Sequence, residues 1–258
     1  MIRVENIVKS FDGKEVLKGI SGEFEQGLVN QIIGASGTGK SVLLKCIVGL
    51  VPPDEGQVYY DDRQFTGADR DLKVDIRREI GMLFQGSALF DSKTVEQNVM
   101  FPLNILTKME KDQKMERVNF VLQRVGLENV NKKMPSEISG GMKKRVGIAR
   151  AIVNEDVKYL FCDEPNSGLD PQTSIVIDEL IAEITKELNV TTVVVTHDMN
   201  SVMGWGEKIL FLAKGHKVWE GSKDQIMYSD VKELNDFVFA SKVMQALKNA
   251  PNFDPKKQ

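Results

Sequence analysis

An α/β fold interrupted by a helical insertion is what this sequence predicts, and three observations predict it. Short apolar runs punctuated by glycine alternate with helical patterns toward both ends of the chain. A glycine-rich loop follows one of these runs and opens a helix. From about residue 88 to about 155 the apolar spacing becomes that of helices alone.

The first part reads as β. Ile2–Phe11 alternates like a strand, and 16–24 and 28–33 read likewise, divided by turns at Asp12-Gly13 and Gln26-Gly27. A helix is predicted from Gly39-Lys40 through "SVLLKCIVGL", stopping before Pro52-Pro53, where proline cannot continue it. "GQVYYDD" and "IGMLF" are the next strands, the latter leading into Gln85. Two helices follow at 95–103 and 111–125, the second with Val118, Val121, Leu122 and Val125 on one face. "GMKKRVGIARAIV" is a third, with Ser139 as its N-cap. "KYLFCDE" is a continuous apolar run ending in acids, as a parallel strand buried on both faces would be. Then come a helix at 171–188, a strand at Thr191–Thr196, a short helix from Asp198, and the strands "KILFLA" and "HKVWEG". The domain is expected over residues 1–240, with a tail at 241–258. In the tail Val243, Met244 and Leu247 share a helical face, read as packing on the chain's own body, with a neighbouring subunit as the alternative.

Composition narrows the function classes. A net charge of -3 and a pI near 5.6 argue against nucleic acid as a partner held by bulk electrostatics. Cys46 and Cys162 lie far apart in apolar runs and read as buried thiols of a reducing compartment, not a disulfide. No apolar run approaches the roughly 18 residues of a membrane span, and the N-terminus lacks the apolar segment of a signal peptide. The expectation is a soluble, intracellular chain that is free to dock on a membrane protein. Lys143, Lys144 and Arg145 read as a solvated helix face.

The chemistry is concentrated in one motif. "GASGTGKS", residues 34–41, matches G-x-x-x-x-G-K-[ST], follows a strand and precedes a helix, the context a phosphate-binding loop requires. Glycines let backbone N–H groups turn inward around a phosphate, and the helix start adds partial positive charge. Lys40 is expected to reach the β- and γ-phosphates, with the Ser41 hydroxyl on Mg²⁺. Such a site needs an acid at the end of another buried strand. Asp163 supplies it, holding Mg²⁺ through water, and Glu164 becomes the candidate general base for the attacking water.

With the phosphate loop, Gln85, "ISGGM", "CDEP", "SGLD" and "VTHD" in this order, residues 1–240 resemble the ATPase subunits of ABC transporters. The resemblance implies a P-loop NTPase core with an N-terminal antiparallel β region and the helical subdomain inserted at about 88–155. It implies ATP and Mg²⁺ as cofactors, and a second copy arranged head to tail so that two ATP molecules are sandwiched. Nucleotide contacts are implied for Gly34, Ala35, Ser36, Gly37, Thr38, Gly39, Lys40, Ser41, Val42 and Gln85, with Phe11 stacking on adenine. Gln85 also joins Ser41 and Asp163 at the metal, and His197 contacts the γ-phosphate as a third catalytic residue beside Lys40 and Glu164. Ser139, Gly140 and Gly141 would meet the γ-phosphate held by the partner copy, a purpose that needs only a hydroxyl, N–H groups and a helix start. Residues 167–170 would cross the dimer interface.

Ile138, Met142 and Asn166 depart from the commonest pattern, which has Leu, Gln and Thr there. Met142 cannot donate an amide hydrogen bond, which puts a ribose contact at that position in doubt. "GGMKKRVGIARAI" and "LFQGSALFDSKTVEQNVMFPL" resemble the Mla-type branch serving bacterial phospholipid or organic-solvent transport. That implies an integral membrane permease and a lipid-binding accessory protein as partners, at the cytoplasmic face of the inner membrane. A polar-solute transporter, or a non-transport ATPase acting in DNA repair or translation, are the alternatives. Paired ATPase domains, long coiled coils or basic inserts would mark the latter, and none is visible.

Overall fold

The computed structural model describes residues 1–240 and Gln245; the Val243, Met244 and Leu247 face lies outside the described residues. Two sheets organise the chain. β1 (Ile2–Phe11) and β2 (Lys14–Phe24) form an antiparallel ribbon, and β3 (Val29–Ile33) then enters the second sheet. α1 (Lys40–Ile47) leads to β4 (Glu55–Tyr60), which returns to pair antiparallel with β1, followed by the short β5 (Arg63–Gln64). α2 (Arg70–Arg78) and β6 (Ile80–Leu83) precede three helices: α3 (Val95–Leu106), α4 (Lys111–Arg124) and α5 (Gly140–Ile152). β7 (Tyr159–Asp163), α6 (Pro171–Glu187), β8 (Thr191–Thr196) and α7 (Met199–Trp205) restore the alternation. β9 (Lys208–Ala213), β10 (His216–Gly221), α8 (Lys223–Ile226) and α9 (Lys232–Val238) complete it.

The small sheet has the order β2-β1-β4-β5 and the large one β10-β9-β3-β8-β7-β6. In the large sheet β9, β3, β8, β7 and β6 are parallel, and only β10 runs against its neighbour. β7 shows why its sequence is continuously apolar. Tyr159 and Phe161 point into a core shared with the small sheet and α1, while Leu160 and Cys162 point into a core shared with α3 to α6. Successive side chains on opposite faces are all buried, so no position is left for a polar residue until Asp163. Burial also pushes the Cys46 and Cys162 thiols up, to about 11 and about 12, and neither forms a disulfide. Among the described residues, no helix is long and apolar enough to cross a membrane.

Candidate functional site

The order β6-β7-β8-β3 brings the chemistry to one edge of the large sheet. Leu83 pairs with Cys162, Asp163 with Val195, and Thr196 with Ile33, so these parallel strands end nearly level. Each strand leads into a motif: Gln85 comes after β6, Glu164 after β7, His197 after β8, and residues 34–41 after β3. The carboxyl edge of a parallel sheet is where α/β folds place ligands.

Gly34 opens the phosphate loop with a backbone no side chain would tolerate. Its φ is +149°, and an added Cβ would sit 2.3 Å from the Leu212 carbonyl oxygen of β9. Gly39 caps α1 in the left-handed region, at φ +100° and against Leu17. Within the loop the Lys40 ammonium donates to the Gly34 and Ala35 carbonyls at 2.9 and 3.1 Å. Thr38 Oγ1 donates to the Ala35 oxygen at 2.9 Å. Burial holds the Lys40 pKa below the usual lysine range, against the opposing pull of Glu164 and Asp163.

Ser41 Oγ donates to Asp163 Oδ1 at 2.9 Å, so α1 and β7 place a hydroxyl and a carboxylate side by side. Burial raises the Asp163 carboxyl, an effect the Ser41 bond partly offsets. These hard oxygens fit Mg²⁺, which keeps water and phosphate oxygens among its ligands and needs few from protein. Ser41 and Asp163 would therefore hold the ion, whose chemistry is to neutralise charge on the β- and γ-phosphates.

Glu164 is the centre of a short polar chain. Gln85 Nε2 donates to its Oε2 at 3.3 Å, and His197 Nδ1 lies 3.1 Å from its Oε1. The Glu164 side chain is mostly buried while that of His197 is half exposed. A cleft of about 460 Å³ opens beside them, lined by Leu169, Asp178, Met199 and Trp205 among others; residues 34–41 do not line it. It is a cleft separate from the loop of residues 34–41.

Ser139 caps α5, its Oγ accepting from the Met142 N–H at 3.3 Å, and Ser139 and Gly140 are exposed. Gly141 packs on the start of α6, where an added Cβ would stand 2.7 Å from Thr173 Cγ2. The departures at Ile138 and Met142 are packing residues: Ile138 is buried in the helical core and Met142 lies against it. Phe11 is 44% exposed at the end of β1, which leaves its ring accessible.

One expectation fails. Lys144 is not on a solvated face but 4% exposed, its ammonium donating to the Glu164 carbonyl at 3.2 Å and Ser167 Oγ at 3.3 Å. Arg145 too reaches inward, toward the Val125 and Gly126 carbonyls. α5 is gripped on several sides, so Lys144 and Arg145 find backbone carbonyls in place of water. Sequence reading also passed over Asp178 and Ser201. Asn166 Nδ2 donates to Asp178 Oδ1 and Ser201 Oγ at 2.8 and 2.9 Å, and Ser201 Oγ donates to Asp178 Oδ2 at 2.6 Å. The available signal was Asn166 itself, a long amide where Thr is common.

A family model described as ABC transporter matches residues 17–167, more than half of the chain. The chain belongs to the ABC transporter family. A chloroplast protein of Arabidopsis thaliana named TRIGALACTOSYLDIACYLGLYCEROL 3 is 38% identical over 256 residues, covering 93% of this chain and 74% of that protein. A methionine import ATP-binding protein of Carboxydothermus hydrogenoformans is 42% identical over 224 residues, covering 86% and 66%. A solved dimer of an ATP-binding cassette, in a post-hydrolysis state with ADP and Pi, superposes with a TM-score of 0.79 at 32% identity, covering 86% of this chain and 99% of that one. This ABC-family chain is an ATPase, with ATP and Mg²⁺ as its cofactors.

Proposed function

We propose that this ABC ATPase drives phospholipid transport at a bacterial inner membrane, working as a head-to-tail pair beneath a separate permease. In each copy Lys40 and the N–H groups of residues 34–42 bind the phosphates, Ser41, Asp163 and Gln85 surround Mg²⁺, and Phe11 stacks on adenine. Glu164 takes the proton of the attacking water and His197 holds the γ-phosphate. Ser139, Gly140 and Gly141 complete the partner copy's site. One observation carries the pairing: a 13-residue helix presents its capped, exposed start to solvent, a ready anion-binding end. An accessory lipid-binding protein belongs to the same reading.

The permease has a suitable surface. An apolar groove of about 270 Å³ runs between β6 and α3, lined by Met82, Phe84, Phe90, Phe101, Pro102 and Leu106. Phe84 and Phe90 are more than a third exposed, and Ile105 on the same helix is 65% exposed. Such a patch suits a helix from a membrane protein.

The lipid cargo is supported by the sequence from Leu83 to Leu103, which resembles the phospholipid branch, and by the plant relative whose name is that of a glycolipid. The methionine import relative, at higher identity, favours a polar solute as a second reading. Affinity purification from membranes decides between them. Co-purified phospholipid with a lipid-binding partner is expected; a soluble solute receptor and no enriched lipid would establish the second reading.

A further inference from the structure

Glu164 has a backbone that few non-glycine residues adopt, with φ at +48°. Such a conformation persists only where its surroundings fix it. Two sides do so. The Glu164 N–H donates to the Val195 carbonyl of β8 at 2.9 Å. Its own carbonyl accepts from the Ser167 N–H at 3.2 Å and from the buried Lys144 ammonium at 3.2 Å. Lys144 also donates to Ser167 Oγ, so one cation spans the turn that aims Glu164 and starts residues 167–170.

Lys144 belongs to α5, five residues beyond the Ser139 cap and within the second turn of the helix. A helix moves as a rigid unit over so short a distance. A shift of residues 139–141 would thus reach the Glu164 carbonyl through the Lys144 ammonium.

We propose that Lys144 is a positioning residue that couples the exposed start of α5 to the Glu164 carboxylate. Engagement of residues 139–141 by the second copy's ATP sets the Glu164 turn through the Lys144 bonds, so the base is aligned when the pair closes. Lys144 itself touches no substrate. The inference rests on the reading that Glu164 is the base and that residues 139–141 meet the partner's nucleotide.

The test uses the full-length chain with Mg-ATP and three variants: Lys144→Met, which keeps the stem and removes the donors, Lys144→Gln, which retains two N–H donors, and Glu164→Gln. ATP affinity, kcat, KM and ATP-dependent dimer size are measured, with melting curves to establish folding. Lys144→Met should lower kcat about tenfold or more, as misplacement of a reacting group by a fraction of an ångström does. Its ATP affinity should stay within about twofold, its ATP-dependent dimer should persist, and Lys144→Gln should recover much of the rate. A merely structural lysine would instead lose affinity, closure and rate together, and that pattern overturns the proposal. So does a Lys144→Met rate within about twofold of normal while Glu164→Gln is blocked. A Glu164→Gln chain that hydrolyses ATP normally overturns the base assignment itself, whatever Lys144 does.

Discussion

Glu164 sits in a strained backbone, hydrogen-bonded on one side to Gln85 and within reach of His197 on the other. Glu164→Gln keeps the Gln85-facing oxygen but cannot take a proton, so the rate should fall by roughly 10² to 10⁴ with ATP still bound. Steady-state hydrolysis and nucleotide titration check both halves. Lys40→Ala removes the cation proposed to face the phosphates and should abolish productive ATP binding; near-normal turnover would sink the site assignment. The buried Asp178 gives a pH signature. Burial raises its carboxyl, against hydrogen bonds from Ser201 and Asn166 that lower it. A carboxyl raised on folding lends stability that is complete below its ordinary value of 3.8 and is lost as pH rises through the folded value. Asp178→Asn lacks that loss. Its melting temperature should therefore gain on the wild type as pH climbs from about 4 toward neutrality. A constant gap between the two melting curves would contradict the assignment. The contacts of Lys144 and Asn166 were illegible in sequence because their partners are backbone carbonyls or side chains far along the chain, and a local pattern records neither.

Elements were legible where burial is periodic or continuous. β1, β8, β9 and β10 begin and end where the sequence places them, and Ser139 caps α5 as expected. α2 was passed over because Ile76 alone is fully buried in it, so it lacks an apolar stripe. Its ends do carry signals: Asp69 accepts from the Leu72 N–H, Asp71 lies in the first turn, and Arg77 and Arg78 lie in the last. The approach of α5 to β6 is another feature no single segment reveals. An added Cβ at Gly81 would stand 2.2 Å from the Ala151 carbonyl, and one at Gly147 would stand 2.6 Å from Leu83 Cδ1. Gly81→Ala forces backbone against backbone and should cost about 3 kcal/mol, or roughly 6 to 12 °C in melting temperature. A variant melting with the wild type would show that α5 can slide on β6 freely. The loop after Gln85 is fixed from two helices. Arg150 of α5 donates to the Ser87 and Ala88 carbonyls at 2.6 and 2.8 Å. Asn98 of α3, fully buried, donates to the Phe90, Lys93 and Thr94 carbonyls and accepts from the Phe90 N–H at 2.7 Å. Asn98→Ala takes the side-chain partner from the Phe90 N–H and the Lys93 carbonyl, while the Phe90 and Thr94 carbonyls keep backbone donors, and should cost about 2 kcal/mol, read by denaturant unfolding. Loss of that loop's geometry should also weaken pull-down of the permease through the adjoining groove.

At the scale of the whole molecule, two cores lie on opposite faces of one mostly parallel sheet, and the carboxyl edge of its parallel strands gathers Gln85, Glu164, His197 and the loop of residues 34–41. The α/β class and the loop-then-helix context were readable because a doubly buried sheet demands uninterrupted apolar strands. The pairing of two copies was readable only through resemblance, since a helix start by itself is indifferent to which phosphate it meets. The central claim is that Ser139, Gly140 and Gly141 complete the nucleotide site of a second copy. Solution size of the Glu164→Gln chain, measured with and without Mg-ATP, tests it most directly, beside the same chain carrying Ser139→Arg. The Glu164→Gln chain should form a twofold dimer only with nucleotide, assembled with its permease where the isolated chain associates too weakly. Adding Ser139→Arg should leave ATP bound to each phosphate loop and abolish the dimer. A Ser139→Arg chain that still closes on ATP would mean that the segment is an ordinary helix start and that the claim is wrong.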